Sequence, residues 1–594
     1  MRSTVLSRRD LDFLLYEWLD IEQLCKRERF ADHSRETFDG ILDLSEQLAT
    51  RYFATHNKLN DANEPTFDGE RVTIIPEVKE ALDAFAKADL LSASLDSEVG
   101  GMQLPAIVAQ AGMAWFQAAN PGTSGYPFLT LANANLLVAH GTPEQIQTYV
   151  APMLAGRFFG TMCLSETQAG SSLADITTRA EPRDDGTYRL FGSKMWISGG
   201  DHDLTENIVH LVLAKIPGGP AGTKGISLFI VPKVLVNSDG SLGDRNDVVL
   251  AGLNHKMGFR GTVNTVLNLG EGRFEPGGEP GAVGYLIGEP HRGLFYMFHM
   301  MNEARLGVGL GATAVGYTGY LKSLDYARTR TQGRSVATRD PSQPQVPIVE
   351  HADVKRMLLA QKAYVEGALG LVMYCGRLVD YQHTAESDDE RRTSTLLLDI
   401  LTPIAKSWPS QWCLEANSLA IQVHGGYGYT REYDVEQHYR DNRLNPIHEG
   451  THGIQGLDLL GRKVTQQGGA SVAALGELIG ATVARAGEGS ELAAQLDSAW
   501  QRLVSVTGAM FASGDIEAAM ANSSIYLEAF GHIVIAWIWL EQLLATEGRD
   551  GDFYDGKRQA AQYFFAYELP RVGPQLDLLE SLDRTTLDMK DAWF

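Results

Sequence analysis

Pro446-Ile447-His448-Glu449-Gly450-Thr451-His452-Gly453-Ile454-Gln455 is the stretch whose conformation decides how this chain is read. As a bare pattern, His448-Glu449-x-x-His452 matches a zinc-hydrolase signature. In that signature two imidazoles one helical turn apart hold the metal and the glutamate acts as base. Such chemistry needs a regular helix through all five residues, and the local sequence opposes one. Pro446 stands two residues before the motif, Gly450 and Thr451 occupy its centre, and Gly453 follows it. Glycine costs roughly 1 kcal/mol against alanine in a helix interior, and threonine is a poor helix former. The segment reads as a loop carrying Glu449, with a helix starting after it. Downstream, Gly456 and Asp458 to Arg462 offer no third ligand, so no metal site is assigned.

The bulk of the chain is that of a folded protein with several domains. Its 594 residues exceed what one core supports. Apolar residues make up 44% and charged residues 21%, the balance of a soluble globular chain. The net charge of −23 disfavours nonspecific contact with nucleic acid or anionic membrane, since both need basic surface. Cys25, Cys163, Cys375 and Cys413 form no C-x-x-C pair, so a reducing compartment is expected, and with it a cytoplasmic location. Met1 to Arg9 is positively charged, but Asp10 to Trp18 behind it is amphipathic and unlike a signal peptide. The apolar run Ile533 to Leu540 is far shorter than the roughly 20 residues that span a bilayer. It reads as a buried helix, and no stable membrane insertion is expected.

Texture changes along the chain suggest four segments. Residues 1–158 read mostly as helix: Val78 to Ala88 spaces its apolar residues three and four apart, and Thr142-Pro143 looks like an N-cap followed by a first helical proline. Residues 159–290 carry short β-type runs at 188–191, 195–198, 208–214 and 225–232, separated by Gly, Pro and Asp, as in an antiparallel barrel or sandwich. Residues 291–462 return to long helical patterns interrupted by a loop at 340–347, and residues 463–594 are again helical. Gly307-Val308-Gly309-Leu310-Gly311-Ala312 mimics a dinucleotide-binding fingerprint. That motif needs a strand before it, whereas Phe295 to Arg305 reads as helix, so close helix–helix contact is expected there instead.

Two segments about 30 residues apart then narrow the reading. Cys163-Leu164-Ser165-Glu166 runs through Gly170-Ser171 to Asp175, rich in groups that can donate to a polar ring or phosphate. Lys194-Met195-Trp196-Ile197-Ser198 follows, ending on Gly199-Gly200. In this order they resemble S/T-E-x-x-A-G-S and K-x-W-I-S/T of the acyl-CoA dehydrogenases. The likeness continues through Lys256-Met257-Gly258-Phe259-Arg260, the helix of Asn302 to Arg305, Tyr326 to Gly333 (similar to Y-A-x-x-R-x-Q-F-G), Gln422 to Gly428 (similar to Q-x-x-G-G-x-G), Arg440-Asp441, and Glu449-Gly450-Thr451 within E-G-T-x-x-I-Q. There are departures. Gly333 lacks the preceding aromatic, His448 stands where tyrosine is frequent, Gly453 where glutamine is, and Ser198 is followed by Gly199 in place of asparagine.

The resemblance implies an α+β fold: an N-terminal helical domain, a central antiparallel β-barrel, a helical bundle with the catalytic loop, and an extra C-terminal helical domain. It implies FAD as cofactor, contacted by Met162, Leu164, Ser165, Gly170, Ser171, Trp196, Ser198, Arg330, Gln332, Gln422, Gly425, Gly426 and Thr451. Arg330, Gln422 and the Gly425-Gly426 turn would come from the neighbouring subunit. Ser171, Arg305, Glu449 and Gly450 would contact the acyl-CoA. Glu449 would remove the α proton while the β hydrogen leaves as hydride to the flavin, with the Glu449 backbone N–H polarising the thioester carbonyl. Electron-transfer flavoprotein is the implied electron acceptor. Residues 463–594 resemble the extension of the long-chain and 3-methylmercaptopropionyl-CoA branches, in which added helices cover the tetramer surface of smaller members, so a homodimer is expected.

A fatty acyl-CoA of medium to long chain is the expected substrate. A 3-methylmercaptopropionyl-CoA, an oxidase variant of the same fold, a DNA-associated branch of the fold (opposed by the net charge of −23) and a zinc hydrolase are the alternatives. Purified protein should be yellow, contain no stoichiometric zinc by elemental analysis, ignore EDTA, and keep substantial activity as His452→Ala. One tightly bound zinc per chain, with activity lost on its removal, would overturn the flavoenzyme reading.

Overall fold

The computed structural model describes residues 3–335 and 341–594, so Asp340 of the expected 340–347 loop lies outside the described residues, while Pro341 to Val346 have no helix or strand. Two compact units are present: Ile41–Leu104 with Ala119–Ala304, and Met1–Gly40 with Pro105–Ala118 and Arg305–Phe594.

The helices α1 (Pro76–Lys87), α2 (Ala106–Ala119) and α3 (Pro121–His140) lie in the segment read as mostly helical, and α1 forms where the apolar spacing of Val78 to Ala88 predicts. In α1 that spacing buries Val78, Ala81, Leu82 and Phe85 on one face. Thr142 caps the short helix at Pro143, accepting from the Gln145 amide while the Gln145 side chain accepts from Thr142 N.

Among the described residues the main sheet has eight strands: β1 (Phe158–Cys163), β2 (Arg179–Pro182), β3 (Tyr188–Ser198), β4 (Asn207–Lys215), β5 (Ile226–Pro232), β6 (Val248–Leu253), β7 (Asn264–Leu269) and β8 (Ala282–Leu286). Their order is β6-β7-β3-β8-β5-β4-β1, and β2 pairs both β3 and β4, which closes the β3-β8-β5-β4 run into a barrel. Three features differ from the sequence reading. The runs at 188–191 and 195–198 are one strand, because the backbone stays extended through Gly192. β1 lies parallel to β4, and β2 meets β4 in parallel at a single pair. The long excursion through β2 and β3 gives the chain room to return in the same direction. Between Lys194↔Leu267 and Ile197↔Thr265, Met195 and Trp196 together face Val266, which makes a β-bulge. The buried Asn133 of α3 donates to Thr161 O and Val209 O, fixing α3 on the β1–β4 pair.

The second unit holds α4 (Gly293–Thr329), α5 (Ala352–His383), α6 (Asp388–His424), α7 (Val435–Asn442), α8 (His452–Asp458), α9 (Ala470–Ala486), α10 (Glu491–Ala512), α11 (Ser523–Ala545), α12 (Asp552–Tyr563) and α13 (Val572–Glu580), although α4 begins before the unit boundary. Ile533 to Leu540 lies inside α11, fully buried, with Trp537 donating to Thr482 and Trp539 to Ala363 O. The glycines at 307–311 sit in mid-helix α4, where Gly309 meets α6: a Cβ there would stand 1.9 Å from Ala405 O. A buried charge cluster joins the C-terminal helices to the rest of the unit. Lys557 of α12 reaches Asp10 at 2.5 Å, Glu366 of α5 at 2.8 Å and the Gln542 side chain at 2.9 Å, while Tyr317 of α4 donates to Asp10.

Gly309→Ala is expected to destabilise the fold by about 1–3 kcal/mol, since α4 and α6 must separate to admit one methyl group. Gly508→Ala at an exposed position of α10, where nothing among the described residues lies within 4 Å of the added Cβ, should instead stabilise by up to about 1 kcal/mol. Denaturant midpoints of the two variants check the contrast.

Candidate active site

Glu449 lies in a turn between α7 and α8 at φ 55°, a left-handed conformation that few side-chain-bearing residues adopt. The helix required by a zinc motif is therefore absent at His448-Glu449. It starts at His452, with the Thr451 hydroxyl accepting from Ile454 N at 3.3 Å. Gly450 follows at φ 89°, and a Cβ there would meet the Gln455 amide at 2.3 Å. That amide donates to Glu449 O at 3.2 Å. A relay of side-chain amides holds the loop from the other end. Asn417 donates to Val315 O, Asn442 to Asn417 and Ala312 O, and Asn445 to Asn442, while His448 Nε2 contacts Asn445 Oδ1 at 3.0 Å.

Two cations stand near the Glu449 carboxyl. Arg305, 4% exposed, pairs with Asp458 at 3.2 Å. Lys406, with no exposed surface, donates to Asn445 O at 2.8 Å and Gly450 O at 2.7 Å. Burial pushes Glu449 up to about 7, against the pull of Arg305 and then Lys406. Burial also pushes Lys406 down to about 7, although Glu449 draws it upward. His448 and His452 are driven down to about 3 and about 4, first by burial and then by Lys406, so both stay neutral near pH 7. A carboxyl poised near neutrality is suited to take and return a proton.

A second group of expected site residues lies on the barrel. Ser165 O accepts from Met195 N at 3.0 Å, which ties the loop after β1 to the bulge in β3. At that bulge Trp196 takes φ 65° and is 57% exposed, its ring turned out of the core. Asn264 donates to the Ser198 hydroxyl at 3.1 Å. Met162 and Leu164 flank the buried Cys163 at the end of β1, packed against the hydrophobic core, and Gly170 and Ser171 are exposed in the following loop. Beneath them Glu166 is buried. It accepts from the backbone and hydroxyl of both Thr177 and Thr178, from Gln168, and from Lys194 at 3.0 Å. Burial alone would raise this carboxyl; Lys194 and Thr178 outweigh it and hold it at about 2. The Lys194 ammonium also binds Leu164 O at 3.0 Å, so one fully buried ion pair joins the Ser165 and Trp196 segments.

A third group lines a cleft of about 520 Å³ formed by Tyr326, Arg330, Gln332, His424, Gly425, Gly426 and their neighbours. Gln422 is exposed one turn before it, at the end of α6, and Gly425 N donates to its carbonyl. The 330–333 strip is held by Ile348 N to Arg330 O and Gln332 N to Val346 O. Among the described residues, chain neighbours aside, no atom lies within 4 Å of where a Cβ on Gly425 or Gly426 would point.

The sequence reading assigned no role to Lys406, Gln455, Asn445 or the Glu166–Lys194 pair. Glu166 and Lys194 sit inside recognised motifs, and an acid and a base in adjoining motifs was a usable signal. Lys406 gave one too: a lone lysine in the apolar stretch Leu396 to Trp408 must find a buried partner.

Comparison with known proteins agrees across the chain. The descriptions "Acyl-CoA dehydrogenase, N-terminal domain", "middle domain" and "C-terminal domain" match residues 49–157, 161–268 and 291–464, and "Acetyl-CoA dehydrogenase C-terminal like" matches 475–590. The 3-methylmercaptopropionyl-CoA dehydrogenase of Ruegeria pomeroyi is 35% identical over 566 residues, covering 93% of each chain. A broad-specificity linear acyl-CoA dehydrogenase of Mycobacterium tuberculosis is 31% identical over 621 residues, covering 99% of each. In fold, the acyl-CoA dehydrogenase of Bacillus anthracis solved with FAD superposes with a TM-score of 0.74 at 20% identity, over 96% of this chain and 91% of that one. Domain order, relatives and fold agree, and this chain belongs to the acyl-CoA dehydrogenase family, oxidoreductases that act on the CH–CH bond of an acyl-CoA.

Proposed function

We propose that this protein is an FAD-dependent dehydrogenase that converts an acyl-CoA to its trans-2-enoyl-CoA, with Glu449 as the base that removes the α proton. The observation that carries this reading is the Glu449 carboxyl, raised to about 7 in a loop held by Lys406, Gln455 and Asn445. The Glu449 backbone N–H donates to the thioester carbonyl, so charge developing on that oxygen is met as the proton leaves. Arg305, Gly450 and Ser171 contact the substrate.

The residues present fit the cofactor. Exposed Arg330 beside the open Gly425-Gly426 backbone suits a diphosphate, and Trp196, turned outward near Ser165 and Ser198, suits a planar ring with polar edges. Met162, Leu164, Gly170, Gln332, Gln422 and Thr451 complete the expected contacts. Bound FAD supplies the acceptor for the hydrogen leaving Cβ. The Arg330 cleft serves the cofactor of a second subunit, which makes a homodimer the working assembly, and electron-transfer flavoprotein reoxidises the enzyme. We assign residues 1–158, 159–290, 291–462 and 463–594 as its four domains.

The substrate is read as a fatty acyl-CoA of medium to long chain. A second reading, 3-methylmercaptopropionyl-CoA, is favoured by the 35% identity to the Ruegeria pomeroyi enzyme. Relative kcat/KM for butyryl-, octanoyl-, palmitoyl- and 3-methylmercaptopropionyl-CoA discriminates the two.

Glu449→Gln should retain FAD and bind acyl-CoA while flavin reduction by substrate falls by roughly 10²- to 10⁴-fold. Near-normal reduction in this variant would sink the assignment. Because the base must be ionised, wild-type reduction should rise with pH through an apparent pKa of about 7. Arg330→Ala and Gln422→Ala should each purify with less flavin and a lower Tm. Full flavin content in both would mean the shared cofactor site is wrongly assigned.

A further inference from the structure

Lys406 stands in the middle of α6, and its Nζ donates to two backbone carbonyls, Asn445 O and Gly450 O. These residues bracket the loop that carries Glu449. Among the described residues no carboxylate lies within salt-bridge distance of Lys406, and only neutral oxygens touch its ammonium. Burying a cation on neutral partners is costly, and a methionine would fill the same helical position without that cost. The opposite charge that Lys406 feels is Glu449, through space.

We propose that Lys406 is a positioning residue for the Glu449 base: its ammonium ties the two ends of the 445–450 loop together and its charge favours the ionised form of the Glu449 carboxyl. The proposal rests on the reading of Glu449 as base. Arg305 on α4 is the other cation acting on Glu449, and its charge is shared with Asp458, which Arg462 also binds. His448 and His452 face Lys406 from the loop and from α8, and Arg443 acts on His452. Both imidazoles are held neutral by burial and add no charge near pH 7. Arg305 and Lys406 therefore set the charge balance at Glu449. The sign follows from that balance. A nearby cation favours the carboxylate, so removing Lys406 raises the Glu449 pKa and moves the acid limb of the rate profile to higher pH. The Lys406 ammonium, lowered to about 7, is charged below that pH, where its pull on Glu449 matters most.

The test compares wild-type holoenzyme with Lys406→Gln, which removes the charge but keeps a donor for a carbonyl, and Lys406→Met, which removes both. In single-turnover flavin reduction by substrate, both variants should show the acid limb displaced upward by about one pH unit. They should be roughly tenfold slower than wild type below the limb and converge on wild type above it. The infrared carboxyl band of Glu449, identified by its loss in Glu449→Gln, should titrate at correspondingly higher pH in Lys406→Gln, a readout that needs no turnover. Amide exchange over 445–450 should be faster in Lys406→Met than in Lys406→Gln. An unchanged limb and an unchanged Glu449 titration in folded Lys406→Gln would overturn the proposal. Failure of both variants to fold would overturn it equally, by showing that Lys406 serves folding. Flavin reduction persisting in Glu449→Gln defeats the base assignment instead, and the infrared titration keeps the two failures apart.

Discussion

Pro409 has no amide hydrogen, so the Ala405 carbonyl one turn earlier in α6 receives no helical hydrogen bond from it. Gly309 of α4 comes up against that oxygen so closely that any side chain would collide with it. The contact sets the spacing of the two helices, and the charges follow from it. Arg305 precedes Gly309 by one turn of α4, and Lys406 adjoins Ala405 on α6. Each helix thus delivers one buried cation to the turn that carries Glu449. A wider crossing would move both cations, together with the carbonyls that Lys406 holds and the Asn417–Asn442 relay anchored on the same two helices.

Two glutamates, Glu166 buried and Glu449 half-buried, show how coordination decides ionisation. Glu166 accepts six hydrogen bonds, one from an ammonium in contact, and sits at about 2. Glu449 feels its cations only at a distance and sits at about 7. The first carboxylate is locked as a fixed anion that joins two loops. The second is left able to change state. One residue type is made structural or reactive by the number of donors that reach it.

Much of this was legible in the sequence, for identifiable reasons. Pro446 and Gly450 disfavour helix, so a loop carrying Glu449 with a helix after it was readable from local propensity, although Gly453, counted against helix, lies inside α8. The glycines at 307–311 were readable because a 3.6-residue pattern precedes them where a nucleotide site would need a strand. The Ile533 to Leu540 helix was readable from its length. What escaped depends on partners distant in sequence. The bulge at Met195-Trp196 exists only relative to Val266, and the parallel β1–β4 pair only through the path of β2 and β3. The anchoring of Glu449 depends on Lys406, more than forty positions upstream by the numbering, and no spacing rule links the two.

The buried cluster at Lys557 bears on how separable the C-terminal helices from α9 onward are. Asp10 and Glu366 lie far upstream of the extension, and the cation between them arrives from α12. A chain trimmed before α9 would lose the ammonium that bridges both carboxylates, leaving Lys362 of α5, which pairs with Glu366, as the cation beside them. The extension is therefore not an appendix that can be shed or grafted as a unit. Grafting it onto a bundle without Asp10 and Glu366 would bury the Lys557 ammonium with neither carboxylate to meet it.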